Sequence, residues 1–292
     1  MKLKFIIIIF NIIIVFFLSA LAFIPAFAFG SGFAALFWRS GWPLAFILAA
    51  ALVTLNAFFL INFRLYKLLE REDWPALADY LEQSVLYKGR YSPRRLRLLL
   101  NSYLVMSDTP AVIRLENKVG IARPALLEAN ALIFGTARIL GGDPAGAADF
   151  FRLRLEKSAG KKDKPWLRWY YGFSLILAGS FDEAEGSFKA LAAASADPLI
   201  AGLSAYLLSA VLLKHSANGA ECRSVAEDSR KRVRKALKSA DGWKREAEKI
   251  ETDVYAAVIK KYIDEAGAWL FNGAAYAGQA KTETNVDRSE YE

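Results

Sequence analysis

Two uninterrupted apolar stretches constrain this chain more than any other feature. Phe5 to Phe29 is a run of 25 residues without a charge, and Trp42 to Phe63 is another of 22. At about 1.5 Å of rise per helical residue, either run can cross a hydrocarbon core of roughly 30 Å. Residues 1–63 hold only three charged side chains, Lys2, Lys4 and Arg39, and the first acidic residue is Glu70. The net charge of +8 therefore averages an apolar region with one of ordinary water-soluble composition. The segment between the runs, GSGFAALFWRSG, is too short for a domain. Residues 1–63 read as a two-helix transmembrane hairpin with spans at about 5–29 and 42–63.

Ala26-Phe27-Ala28 resembles a signal-peptidase site. The first run, however, exceeds the roughly 7–15 apolar residues of a signal peptide, and a second run follows at once, which favours a retained helix. Lys2 and Lys4 precede the first run, Arg64, Lys67 and Arg71 follow the second, and only Arg39 lies between. The positive-inside rule then predicts a multi-pass protein of the bacterial cytoplasmic (inner) membrane, with the N-terminus and the soluble part in the cytoplasm. Asn11 and Asn56 fall at similar depth in such a hairpin. They either bond to each other across it or find water and their own backbone.

The soluble part contains an internal repeat. Leu132 to Phe151, LIFGTARILGGDPAGAADFF, aligns with Trp169 to Phe188, WYYGFSLILAGSFDEAEGSF, at a shift of 37 residues with six of twenty positions identical. Five of these carry the argument: Gly135 with Gly172, Gly142 with Gly179, Ala147 with Ala184, Phe151 with Phe188, and Leu140 with Leu177. A glycine inside the first helix lets a neighbouring helix approach, and a second glycine seven residues later ends that helix in a turn. Alanine and an aromatic four apart then form one face of the next helix. Glycine inside a helix costs about 1 kcal/mol relative to alanine, so its recurrence implies a packing role.

This pattern resembles the tetratricopeptide repeat (TPR), a 34-residue helix-turn-helix unit. Trp169, Tyr171, Gly172, Leu175, Gly179, Phe181, Ala184, Phe188 and Leu191 fall at or within one place of its signature positions. The preceding copy keeps Phe134, Gly135, Gly142, Ala147 and Phe151, but has Arg138 where a large apolar residue is usual. The resemblance implies that Trp166, Trp169 and Phe173 face a concave groove that binds extended or helical peptides, with Arg168 alongside, while Tyr171 faces the neighbouring helix. Some members of the family grip acidic C-termini through a lysine and asparagine clamp. Trp169 and Phe173 stand at the corresponding places, so an apolar or helical protein partner fits better.

Elsewhere DWPALADYLEQSVLY and SPRRLRLLLNSYLVM carry a capping residue with proline just inside the helix start. ARPALLEANALIFGTARIL, DPLIAGLSAYLLSAVLLKH, AECRSVAEDSRKRVRKALKSA and DGWKREAEKIETDVYAAVIKKYIDEAGAWLF read as further helices, the last a long terminal cap. The expected fold is all-α: the hairpin, then a TPR-like α-solenoid of antiparallel helix pairs over 64–271, then a disordered tail over 272–292.

Chemistry is sparse. One cysteine, Cys222, and one histidine, His215, exclude an intrachain disulfide and leave little capacity for a metal site or a general base. No phosphate loop or nucleophile elbow occurs. The expectation is a non-enzyme without metal or cofactor. Two stretches remain open to two readings each. Trp166, Trp169 and Phe173 are either groove or core, because aromatics serve both. Arg230, Lys231, Arg232, Arg234 and Lys235 either contact an anionic surface or form a solvated helix face balanced by nearby carboxylates. With no aromatic stacking platform beside that run, nucleic acid fits it less well than lipid. The leading expectation is a membrane-anchored scaffold or adaptor that recruits a protein partner, and the alternative is lipid or nucleic-acid binding by the basic helix.

Overall fold

The computed structural model describes residues 3–157, 164–251 and 254–271, so the expected disordered tail at 272–292 lies outside the described residues. Every regular element among the described residues is helical. The chain divides into two compact units, Met1–Arg90 and Tyr91–Glu292.

In the first unit, α1 (Leu3–Glu70) breaks at Gly30, whose φ of 82° and ψ of 169° leave helical geometry. Two helices within it, Ile8–Phe33 and Gly41–Glu70, are long and apolar enough to cross a membrane. The linking segment expected between the spans is therefore helical except at its first residue. Asn56 Nδ2 donates to Asn11 Oδ1 at 2.7 Å and to its own helix at the Leu52 carbonyl at 2.9 Å, which sets the two arms side by side. The arms also flank an apolar groove of about 570 Å³ lined by Phe17, Leu21, Ile24, Leu44 and Leu48 among others. The helix after the break runs beyond Phe63 to Glu70, and α2 (Trp74–Glu82) follows, continued by a wide helical turn, Gln83–Tyr87.

The second unit is a succession of α3 (Pro93–Val105), α4 (Thr109–Ala122), α5 (Pro124–Ala129), α6 (Ala131–Leu140), α7 (Pro144–Lys157), α8 (Pro165–Leu177), α9 (Phe181–Ala194), α10 (Pro198–Ala210), α11 (Gly219–Leu237), α12 (Ala240–Glu251) and α13 (Val254–Phe271). From α6 to α11 each helix packs on its neighbours in sequence, while α13 returns to lie against α6 and α10. The expected single helix over 122–140 is interrupted at Asn130, whose side-chain amide bonds back to the Leu126 carbonyl at 2.8 Å. The expected long terminal helix is two helices, α12 and α13. Helix α4 was not among the expected helices, although Asp108 caps it at the Ala111 N–H (3.0 Å) with proline just inside, the same start signal as at Asp73.

One turn recurs through both units. Residues 72, 107, 142 and 179 all have left-handed φ, of 53°, 57°, 75° and 79°. In each, the N–H of the following residue returns to a carbonyl five positions back: Asp73 to Leu68, Asp108 to Tyr103, Asp143 to Arg138 and Ser180 to Leu175, at 2.9 to 3.2 Å. This closes the helix with a Schellman motif and starts the next one at once. Four residues past each of these cap residues sit Leu77, Val112, Ala147 and Ala184, all at most 1% exposed. Sequence comparison isolates the two copies whose turn residue is glycine. Glu72 and Ser107 adopt the same geometry without glycine's sequence signal.

The glycines inside α6 and α8 do what their recurrence implies. A Cβ on Gly135 would stand 2.1 Å from Phe151 Cζ, and one on Gly172 would stand 2.9 Å from Phe188 Cε2. Both phenylalanines are fully buried. The ring of the second helix therefore lies directly on the bare backbone of the first. Arg138, the departure from an apolar position, is accommodated by Glu116, a mostly buried carboxylate at 2.9 Å from its Nη2.

Candidate functional site

The aromatic set of α8 is core. Trp169 is 0% and Phe173 2% exposed, which corrects the expectation that they face an open partner groove. The cause is α13. Tyr262 meets Phe173 edge-on at 5.1 Å between ring centres, and Tyr255 packs against Trp166 at 6.2 Å and Tyr170 at 6.1 Å. Tyr170 Oη donates to the Tyr255 carbonyl at 2.5 Å, which ties the start of α13 to α8. Trp169 also stacks on Phe173 at 5.2 Å and meets Phe188 at 5.9 Å. Trp166 remains half-buried under Tyr255, and of the four residues expected to bind a partner Arg168 alone is exposed. The signal for this arrangement was present as the tyrosines and Trp269 of the terminal segment, but periodicity cannot say which earlier helix they will cover.

The same helix recruits part of the basic run. The Arg230 guanidinium lies over the Trp269 ring at 4.7 Å and donates to the Trp269 carbonyl at 2.6 Å. Arg232 donates to the carbonyls of Ala192 and Ala193, the last turn of α9, capping it with a side chain. These two arginines bond to neighbouring helices, whereas Lys231, Arg234 and Lys235 of the five expected contacts are exposed on the outer side of α11. Lys231 pairs with Asp228 at 3.5 Å, with both side chains more than 70% exposed. Val233 and Ser229 turn inward on the opposite side of α11.

Tyr171 meets the neighbouring helix as expected, donating its hydroxyl to Glu183 of α9. Burial, and then the bond to that carboxylate, push its phenol up to about 12. Beside it, Lys189 pairs with Glu185 at 2.6 Å and with Glu221 of α11. The hydrogen bond from Lys189 holds the Glu185 carboxyl below its ordinary range. Cys222 is fully buried at the edge of this network, its Sγ 3.6 Å from Ser216 Oγ, and burial pushes its thiol up. His215 does not join Cys222: its ring stacks on Phe181 with centres 3.8 Å apart. Among the described residues, no three of histidine, cysteine, aspartate and glutamate gather as a metal-binding group.

No solved structure matches the chain. It is similar to an uncharacterized protein of Treponema pallidum (strain Nichols), at 29% identity over 285 residues that cover 93% of this chain and 88% of the relative. The family described as "Uncharacterised Treponema protein" matches residues 111–272, from the start of α4 to the end of α13. More than half of the chain lies in that match, and the protein belongs to this family of Treponema proteins.

Proposed function

We infer that the chain is a non-catalytic, multi-pass scaffold of the bacterial inner membrane, whose TPR-like α-solenoid recruits or organises a protein partner at the cytoplasmic face. The observation that carries this reading is the fourfold turn at residues 72, 107, 142 and 179. A recurring helix-turn-helix unit, whose copies in the second unit pack on their neighbours, builds a surface for binding without needing a catalytic centre. Two apolar helices preceding it support tethering at a membrane, and tethering raises effective concentration, so a modest affinity suffices. Basic residues at the outer ends of both apolar runs support the cytoplasmic orientation.

Because α13 covers the α8 aromatics, the partner surface lies elsewhere. The last helical residue before the turn is an exposed apolar side chain in three successive copies: Val105 at 56%, Leu140 at 54% and Leu177 at 43%. Proximity crosslinking in native membranes should compare wild type with a Val105→Ser, Leu140→Ser, Leu177→Ser variant. Loss of a protein neighbour in the variant is the expected result. A neighbour list that contains no protein lost in the variant overturns this surface, and one with no protein neighbour at all overturns the scaffold.

A further inference from the structure

We propose that the outer face of α11 is a docking surface for an anionic lipid bilayer. Lys231, Arg234 and Lys235 occupy helical positions i, i+3 and i+4, so they share one face at the end of α11, and Lys238 follows as its C-cap with φ of 65°. All four are exposed, and Cys222, Ala226, Ser229 and Val233 bury the opposite side. The bonds that Arg230 makes to α13 and Arg232 to the end of α9 therefore sort the basic run into two structural arginines and an outward cationic row.

The row is not explained by the fold alone. Lys231 and Lys235 are like charges four residues apart within α11, a spacing that destabilises a helix. The helix dipole favours cations only within the last turn, which holds Arg234 and Lys235 and leaves Lys231 outside its help. The carboxylates on this face, Glu227 and Asp228, sit a turn earlier, and Asp228 answers one cation through a highly exposed pair that solvent screens. An anionic bilayer supplies the missing counter-charge and matches a flat row of flexible ammonium and guanidinium groups, with each basic residue near such a surface contributing about fivefold in partitioning. Helices long and apolar enough to cross a membrane belong to the same chain, so such a surface is within reach. This inference rests on the membrane-anchored part of the proposed function and is independent of any protein partner.

The test uses the full chain in nanodiscs of neutral phosphatidylcholine or of the same lipid with phosphatidylglycerol. A Ser224→Cys probe in a Cys222→Ala background carries a fluorophore on the same face of α11, and headgroup spin-labelled lipid serves as quencher. Quenching is expected to rise severalfold in the anionic discs, to fall in high salt, and to disappear in a Lys231→Glu, Arg234→Glu, Lys238→Glu variant with unchanged circular dichroism. Equal quenching in neutral and anionic discs overturns the proposal, as does an anion-dependent rise that survives charge reversal. A response to added DNA oligonucleotides but not to phosphatidylglycerol overturns it in favour of nucleic acid. Protein neighbours from the crosslinking experiment are unaffected by any of these outcomes, so the two readings fail separately.

Discussion

Asn56 donates its side-chain amide to the Asn11 side-chain carbonyl oxygen at 2.7 Å, 45 residues away in a stretch whose one charged residue is Arg39. The pair ties the two arms of α1 together at one level, a polar contact of the kind that carries helix pairing wherever apolar side chains lack a hydrophobic driving force to associate. Asn56→Leu should weaken the hairpin by about 0.5–1.5 kcal/mol. Detergent-induced unfolding checks this, and the Asn11→Leu, Asn56→Leu double variant should lose less than the sum of the two single ones, since both delete the shared bond.

The two kinds of glycine in the repeat should respond differently. Gly135→Ala forces a methyl against Phe151 and should cost about 1–3 kcal/mol by overpacking, more than Gly172→Ala, where the ring stands farther off. At the turns the sign depends on the residue already present. Gly142→Ala should destabilise by about 1 kcal/mol, whereas Ser107→Gly relieves a left-handed serine and should stabilise by roughly half as much. Thermal unfolding of the purified chain separates these outcomes, and a stabilising Gly142→Ala would contradict the turn assignment.

Trp169→Ala removes a fully buried indole between Phe173 and Phe188 and should cost about 3–5 kcal/mol. It would act through stability, lowering the melting temperature by about 10 °C. An unchanged melting temperature would mean that the side chain is not enclosed.

Two groups between α8 and α11 set opposite pH limits. Glu185 is held below its ordinary range by Lys189, so its contribution is present above the unfolded carboxyl value and is lost as pH falls through the lowered one. Tyr171 is raised to about 12, so its contribution is complete below about 10 and is lost as pH climbs toward 12. Unfolding midpoints measured from pH 3 to 11 should show Glu185→Gln flattening the acid limb alone and Tyr171→Phe flattening the alkaline limb alone.

Much of this architecture is local and therefore legible in the sequence. The length of the two apolar runs, the Asp and Ser caps followed by proline, and the paired glycines and phenylalanines 37 residues apart each act within a few residues of chain, so periodicity and composition determine them. The sequence also placed Asn11 and Asn56 at one depth. Three things only the tertiary structure decided. Left-handed backbone at Glu72 and Ser107 is imposed by the helices it joins, and no residue type announces it. The separation of Arg230 and Arg232 from Lys231, Arg234 and Lys235 depends on which carbonyls and rings surround α11. The fate of Trp166 and Phe173 was set by α13, more than eighty residues on, because an aromatic stripe reads the same whether it awaits a partner or the chain's own last helix, and only the path of the backbone brings Tyr255 and Tyr262 onto it.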